Sequence, residues 1–305
     1  MRVAVVGAGV LGLTCAIRLA EAGHQVSVLT ADEPARTTSA VAAALWYPYR
    51  AWPLADVTRW AAASRVVFES LAADPATGVL LRNGRELLRS PGPDPWWAAA
   101  APDLRRLAPS ELPAGFADGF TFVAPVVDMS RYLAWLLDRT QSLGVSTVLR
   151  RLSSVDEADG DVMVNCSGVG ARDLVGDSSV VPVRGQVVRL ANPGLTDWVL
   201  DEQDPAGLTY VVPRRDDVVC GGTADEGAES GAPDPAVEAA ILSRAAALVP
   251  ALAGAPVLSR AVGFRPTRPS VRLEREWRVV HCYGHGGAGV TLSWGCAEDV
   301  RDLLG

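Results

Sequence analysis

The hydrophobic pattern is sharpest at the start of the chain. After Arg2, the run Val3-Ala4-Val5-Val6 is unbroken and apolar, the pattern of a strand buried on both faces. It leads into Gly7-Ala8-Gly9-Val10-Leu11-Gly12. Leu13 to Ala22 then shows helical spacing, and Gly23 is placed to end that helix. Gln25 to Leu29 reads as a second strand. Strand, glycine turn, helix and strand within about thirty residues make a βαβ unit.

Beyond it the pattern predicts helices over 60–73, 129–143 (with Gly144 at its end) and 235–249. Strands are predicted over 145–149, 161–166, 185–190, 208–212 and 217–220. Ser90 to Pro95 reads as a proline-rich turn. The last apolar strand, 279–282, passes through a glycine cluster into a helix over 290–304. Nucleotide-domain signals therefore sit at the start, near 145–170 and at the end. The expected fold is α/β with two domains. A discontinuous Rossmann-like domain is built from 1–50, 141–184 and 260–305. A second domain, 51–140 and 185–259, carries a mixed, largely antiparallel sheet.

Composition narrows the chemistry. The 305 residues are 49% hydrophobic and 21% charged, ordinary values for a globular chain. The formal net charge of −7 argues against nucleic acid or an anionic membrane as the main partner. All 28 basic residues are Arg, so lysine Schiff-base chemistry and the phosphate-loop lysine are excluded. Five Cys (15, 166, 220, 282, 296) form no C-x-x-C, and the three His (24, 281, 285) make no ligand cluster with them. Neither a metal site nor a disulfide framework is expected. There is no leader-like N-terminal stretch and no apolar run long enough for a membrane helix, so a cytoplasmic location is expected.

Several motifs carry chemistry. In Gly7-x-Gly9-x-x-Gly12, Gly7 permits the tight turn. Gly9 lets a pyrophosphate approach the backbone, and Gly12 allows close helix packing, with Ala8, Val10 and Leu11 between them. The acid expected after the second strand is displaced to Asp32, which either reaches a ribose hydroxyl or is a solvated loop residue. Thr37, Thr38 and Ser39, followed by Ala43, Ala44 and Leu45, suit a backbone laid against a flat ligand, or else simply begin an Ala-rich helix. In Val262-Gly263-Phe264-Arg265-Pro266-Thr267-Arg268-Pro269, two prolines stiffen the chain around an arginine, which either grips a carboxylate with two hydrogen bonds or lies on a surface turn. Finally, Gly284 to Thr291 brings four glycines to a second helix N-terminus. Such an end can face a ligand oxygen that gains negative charge.

Taken together, these residues resemble the flavin-dependent D-amino acid oxidases. The resemblance spans nearly the whole chain. It rests on V-V-G-A-G-V-L-G-L at 5–13, V-A-A-A-L-W-Y-P-Y at 41–49, V-N-C-S-G-V at 164–169, R-G-Q-V-V at 184–188 and G-L-T-Y-V-V-P at 207–213. The most specific anchors are G-F-R-P-T-R-P-S-V-R-L-E at 263–274 and Y-G-H-G-G-A-G-V-T-L-S-W-G at 283–295. It implies non-covalent FAD. It implies that Arg265 binds the substrate carboxylate, that Tyr210 donates to the same group, and that the Gly287 carbonyl accepts from the amine, with Tyr47 on the amine-side wall. Gly286, Gly287, Ala288, Gly289, Val290 and Thr291 would contact the isoalloxazine, and Leu152 and Ser167 the adenosine side. The implied reaction moves a hydride from substrate Cα to flavin N5. Dioxygen then yields hydrogen peroxide, and the imino acid hydrolyses to a 2-oxo acid and ammonia. A homodimer is compatible with the family.

Three departures shape the expected specificity. Tyr47 stands where the family often has Gln. Ala206 replaces a lid tyrosine, and the segment from Asp201 to Gly207 is short, so an open site accepting bulky substrates is expected. Gln203 and Ala224 stand where D-aspartate oxidases carry arginines, which favours neutral D-amino acids. D-aspartate oxidase, glycine oxidase and a nicotinamide-dependent reductase are the alternatives.

Overall fold

A computed structural model describes residues 1–228 and 230–305. Its strands are β1 (Arg2–Val6), β2 (Gln25–Thr30), β3 (Val79–Leu88), β4 (Arg105–Arg106), β5 (Asp118–Val127), β6 (Ser146–Leu149) and β7 (Val162–Asn165), then β8 (Val181–Ala191), β9 (Trp198–Asp201), β10 (Thr209–Pro213), β11 (Asp217–Gly221), β12 (Asp225–Glu226), β13 (Val257–Glu276) and β14 (Val279–His285). Its α-helices are α1 (Val10–Glu21), α2 (Thr38–Val41), α3 (Leu54–Leu71), α4 (Met129–Ser142), α5 (Ala171–Leu174), α6 (Pro235–Leu248) and α7 (Gly289–Asp302). None of the described helices is long and apolar enough to cross a membrane.

All the strands join one sheet, in the order β4-β5-β3-β9-β10-β11-β8-β13-β14-β7-β1-β2-β6, with β12 beside β8. One end, β14-β7-β1-β2-β6, is wholly parallel. Strands β1, β7 and β14 are almost completely buried, which is why they read as continuous apolar runs. The chain passes from β1 through α1 to β2 on one side, and β7 pairs with β1 on the other. The strand order therefore reverses at β1, and such a point opens a crevice at the carboxyl ends of the strands. Through the middle of the sheet, β13, β8, β11, β10 and β9 are antiparallel neighbours.

The twenty-residue β13 holds the two kinds of sheet together. Val257 to Thr267 pairs with β8, and Thr267 to Glu276 pairs with β14. The sequence expectation around 262–269 was a proline-stiffened segment, since proline donates no ladder hydrogen bond. The structure shows how strand and prolines coexist. Pro266 lies opposite Pro182, and the ladder to β14 is interrupted between Thr267 and Arg272, where the strand changes partner.

Strands β3 and β5 were also unforeseen. They pair over ten residues, from Val79 opposite Val127 to Leu88 opposite Asp118. Gly84 breaks the alternation in β3 because the Trp198 indole lies on it. A Cβ there would sit 2.1 Å from the ring. Helix α1 begins three residues earlier than its apolar spacing suggested, directly after Gly9.

Helices α1 and α7 pack together, and the Thr14 hydroxyl donates to the Ser293 carbonyl at 3.2 Å. Gly295 lets α3 press onto α7, since a Cβ would lie 2.4 Å from the Trp60 carbonyl oxygen. Gly295→Ala is expected to lower stability by roughly 1–3 kcal/mol, the cost of overpacking a filled core, read from the midpoint of urea unfolding.

Candidate active site

A cavity of about 720 Å³ opens at the carboxyl ends of the parallel strands and continues to the antiparallel sheet. That volume lies within the range of small-molecule and cofactor sites. Its first walls are Gly7 to Leu11 after β1, Thr30 to Asp32 after β2, Arg150 to Ser153 after β6, Cys166 to Gly170 after β7, and Gly286, Gly287, Gly289 and Val290 after β14. These are the places where the sequence put its glycine and hydroxyl motifs.

Two helix N-termini open on this cavity without a counter-charge. Neither α1 nor α7 has an acidic residue in its first turn. Ser39 Oγ accepts the Val10 N–H at 3.0 Å, but the Leu11 and Gly12 N–H groups have no partner among the described residues. Gly289, Val290 and Thr291 likewise leave their N–H groups unpaired. Free N–H groups and the positive end of a helix dipole favour anions. One end suits a pyrophosphate, the other an electron-rich ring oxygen. Between them the Ala42-Ala43-Ala44 wall is made of small residues, and Ala44 takes a left-handed φ of 58° to turn the chain along it. The residues present fit FAD.

Gly12 and Ala288 do not line the cavity. Gly12 is a contact point, since a Cβ would lie 1.8 Å from the Gly7 carbonyl oxygen. Ala288 is buried beneath the α7 terminus. The other anticipated cofactor residues all line it, including Thr37, Thr38, Ser39, Leu45, Leu152, Ser167, Gly286 and Thr291. Asp32 does so too, with its carboxylate 3.7 Å from Arg151. Arg36, Arg150 and Arg151 line this end as well, a cationic contribution that no motif announced.

The far end is built around Arg265, in the middle of β13. Its guanidinium lies over Gly185 of β8, where any Cβ would come within 2.5 Å of it. One N–H donates to the Thr223 carbonyl at 2.8 Å. No carboxylate among the described residues comes within ion-pair distance, so the rest of the fork faces the cavity unneutralised. Tyr210 stands beside it, its ring laid on Gly221 and Gly222. Burial raises the Tyr210 hydroxyl pKa and the Arg265 charge opposes the shift, so the group stays a protonated donor. Gly287 lies against the Tyr49 ring, 2.7 Å from where its Cβ would be. Thr291 Oγ exchanges hydrogen bonds with Tyr47, accepting from its N–H and donating to its carbonyl, both at 3.1 Å.

The loop from Asp201 to Gly207 is short and pinned. Arg89 pairs with Asp201 at 2.7 Å and Asp204 at 2.9 Å. Arg244 donates to the Ala206 carbonyl and to Thr209. The Gln203 side chain is turned to the Arg89 and Ser90 backbone N–H groups, and Ala224 is exposed. No cation therefore stands at these two positions. Instead Glu202 lines the cavity, and Glu86 lies behind Tyr47, whose hydroxyl donates to it at 2.9 Å. Sequence reading missed both acids, because Glu86 on β3 and Glu202 in the loop after β9 lie far apart in the chain and only the pairing of β3 with β9 brings their segments together.

Fold also gathers what spacing kept apart. Cys15, Cys166 and Cys282 meet beneath the cavity with their sulfurs within 4.8 Å of one another, although the sequence shows no ligand spacing. His285 is buried and lines the cavity, with Nε2 3.4 Å from Cys296 Sγ.

Comparison with known proteins agrees with this geometry. The FAD dependent oxidoreductase family model matches residues 2–303. The chain is 56% identical to a D-amino-acid oxidase of Rubrobacter xylanophilus, covering all of this chain and 96% of that one. It is 47% identical to a D-amino-acid oxidase of Streptomyces coelicolor (99% and 96% covered) and 35% identical to human D-aspartate oxidase (99% and 94%). Among solved structures, glycine oxidase from Geobacillus kaustophilus superposes with a TM-score of 0.83 at 21% identity, over 99% of this chain and 94% of that one. An FAD cradle at the strand ends, a free arginine at its far wall and these full-length matches lead to one assignment: the chain belongs to the D-amino-acid oxidase family of FAD-dependent oxidoreductases.

Proposed function

We propose that this protein oxidises neutral D-amino acids, bulky ones included, to 2-oxo acids, ammonia and hydrogen peroxide, with dioxygen as the final acceptor. The observation that carries the reading is Arg265: a guanidinium seated on Gly185, with no carboxylate at ion-pair distance among the described residues, and facing the same cavity as the FAD cradle. A fork of that kind holds a carboxylate in two parallel hydrogen bonds, and Tyr210 supplies a third donor. The Gly287 carbonyl is available to the substrate amine.

Two anchors, carboxylate and amine, leave the substrate one orientation, and only one enantiomer then turns its Cα–H toward the cofactor face. When bound, FAD supplies the two-electron acceptor for the Cα hydride. The chain's own residues orient the substrate and place charge, and no side-chain base at Cα is required. The short pinned loop leaves room for a large side chain. With Gln203 turned away and Ala224 in the other arginine position, no cation at those two positions compensates a side-chain carboxylate, which speaks against D-aspartate. We assign the cofactor to the unit formed by 1–50, 141–184 and 260–305, and substrate selection to 51–140 and 185–259.

The direct test is anaerobic mixing of the flavin-loaded protein with the D- and then the L-form of one bulky neutral amino acid. Bleaching of the flavin absorbance with the D-form alone is expected, and bleaching with neither form overturns the reading. Arg265→Ala should keep its flavin spectrum and lose at least about a hundredfold in kcat/KM, because a charge-assisted pair disappears from a shielded site. Tyr210→Phe should raise KM by roughly fivefold, the worth of one neutral hydrogen bond of about 1 kcal/mol.

A further inference from the structure

Beneath the cofactor cradle lies a cluster of side chains that substrate binding does not use. The sulfurs of Cys15, Cys166 and Cys282 lie within 4.8 Å of one another, and all five cysteines of the chain are free thiols. Three separate elements bring the cluster together. Cys15 sits in α1, Cys166 directly follows β7, and Cys282 lies in β14. His281 pairs with Asn165 in the parallel ladder between β14 and β7, so one step further Cys282 and Cys166 stand side by side. Neighbouring strands lie roughly 4.8 Å apart, and a disulfide spans Cα separations of about 4.4 to 6.8 Å. Bridging this pair therefore asks for rotation of the side chains and little movement of the backbone.

Two further observations set the cluster apart from ordinary packing. Cys166 and Cys282 both line the main cavity, as does His285, whose Nε2 lies 3.4 Å from Cys296 Sγ. Hydrogen bonding from the Cys15, Cys166 and Cys296 thiols and from His285 holds the Cys282 thiol well below the ordinary thiol range, against the opposing effect of burial. The thiolate is the form of cysteine that peroxides oxidise, and a second thiol beside it turns the first oxidation product into a disulfide. Cys220 makes the contrast. It is buried in a separate core with Ile241 and Ala245 of α6, and burial pushes its thiol up to about 12.

We propose that Cys282 and Cys166 form a peroxide-sensitive thiol pair in the cavity floor, closed to a disulfide by hydrogen peroxide released above it in turnover. The source of the oxidant rests on the oxidase reading above; the chemistry of the pair does not. In the first step the Cys282 sulfur attacks one peroxide oxygen. The O–O bond breaks, the other oxygen leaves as water with the Cys282 proton, and Cys282 becomes a sulfenic acid. In the second step the Cys166 sulfur displaces that hydroxyl. The S–O bond breaks, the S–S bond forms, and the hydroxyl leaves with the Cys166 proton as a second water. The two sulfurs together lose two electrons, and the peroxide gains them. Cys15, whose sulfur is 3.9 Å from that of Cys166, is the thiol left reduced. The link falls directly under the pyrophosphate turn, since a Cβ on Gly7 would lie 2.5 Å from the Cys166 carbonyl oxygen.

The test treats the flavin-loaded protein with a few equivalents of hydrogen peroxide, alkylates the remaining thiols and reads the intact mass and the digest by mass spectrometry. A mass loss of about 2 Da per chain is expected, as for one disulfide. Two of the five thiols should escape alkylation, and one peptide pair should be joined through Cys166 and Cys282 until dithiothreitol is added. Cys282→Ala and Cys166→Ala should each lose the link, while Cys220→Ala keeps it. In Cys166→Ala the Cys282 sulfenic acid should persist and be captured by dimedone, which preserves the test should Cys282→Ala fail to fold. Five thiols that all remain open to alkylation, or a link that leaves Cys282 free, overturn the proposal.

The same digest after aerobic turnover with a bulky neutral D-amino acid examines the oxidant's source, and the same link is expected. Peroxide released in turnover with no link formed, either then or with added peroxide, overturns the thiol pair and leaves the general function standing. Absence of peroxide with every D-amino acid defeats the general function, while a Cys166–Cys282 link formed by added peroxide still upholds the pair.

Discussion

Everything at the substrate end depends on β13 changing partners. Its first half belongs to the antiparallel ladder with β8, its second half to the hairpin with β14 that leads into α7. Arg265 sits just before the change, opposite Val183, and its guanidinium has room only because Gly185 presents bare backbone. An arginine on a loop would pay for its freedom each time it bound an anion. Within the ladder with β8 the position is set in advance, so an anion arriving there meets a group already ordered.

The charge pattern along the cavity runs opposite to the chain as a whole. A protein of net charge −7 lines its nucleotide end with Arg36, Arg150 and Arg151 and two uncompensated helix N-termini, and its far wall with Arg265. Asp32 and Asp173 are the acids at the nucleotide end, and Glu202 joins the wall near Tyr47 and Tyr49. Local dipoles and a few placed side chains decide recognition, and net charge does not.

Much of this was legible in the sequence. The βαβ start, the strand before Ser167 and the glycine-rich approach to α7 were readable because fully buried parallel strands leave continuous apolar runs, and glycine turns leave their own signature. Arg265, Tyr210 and the cofactor wall followed from motifs once the resemblance was in view. The strands β3, β5 and β13 were not readable. Gly84 exists for the Trp198 indole, Pro125 sits inside β5 without breaking its register, and the prolines of β13 mark a partner change that only long-range pairing explains. Glu86, Glu202 and the meeting of Cys15, Cys166 and Cys282 were invisible for the same reason. Each cluster is assembled by register between distant segments, and a one-dimensional pattern carries no register.

Thr291 and Tyr47 exchange two hydrogen bonds across 244 positions of the chain. This clasp ties the first turn of the last helix to the cavity-lining segment that carries Tyr47. Selectivity and cofactor polarity are therefore not independent dials in this scaffold. A library that reshapes residues 45–49 to admit a new side chain also tugs on the cavity-facing N–H donors at the start of α7. Variants recovered from such a library would differ in reduction potential as well as in what they admit, and screening on peroxide output alone would mix the two.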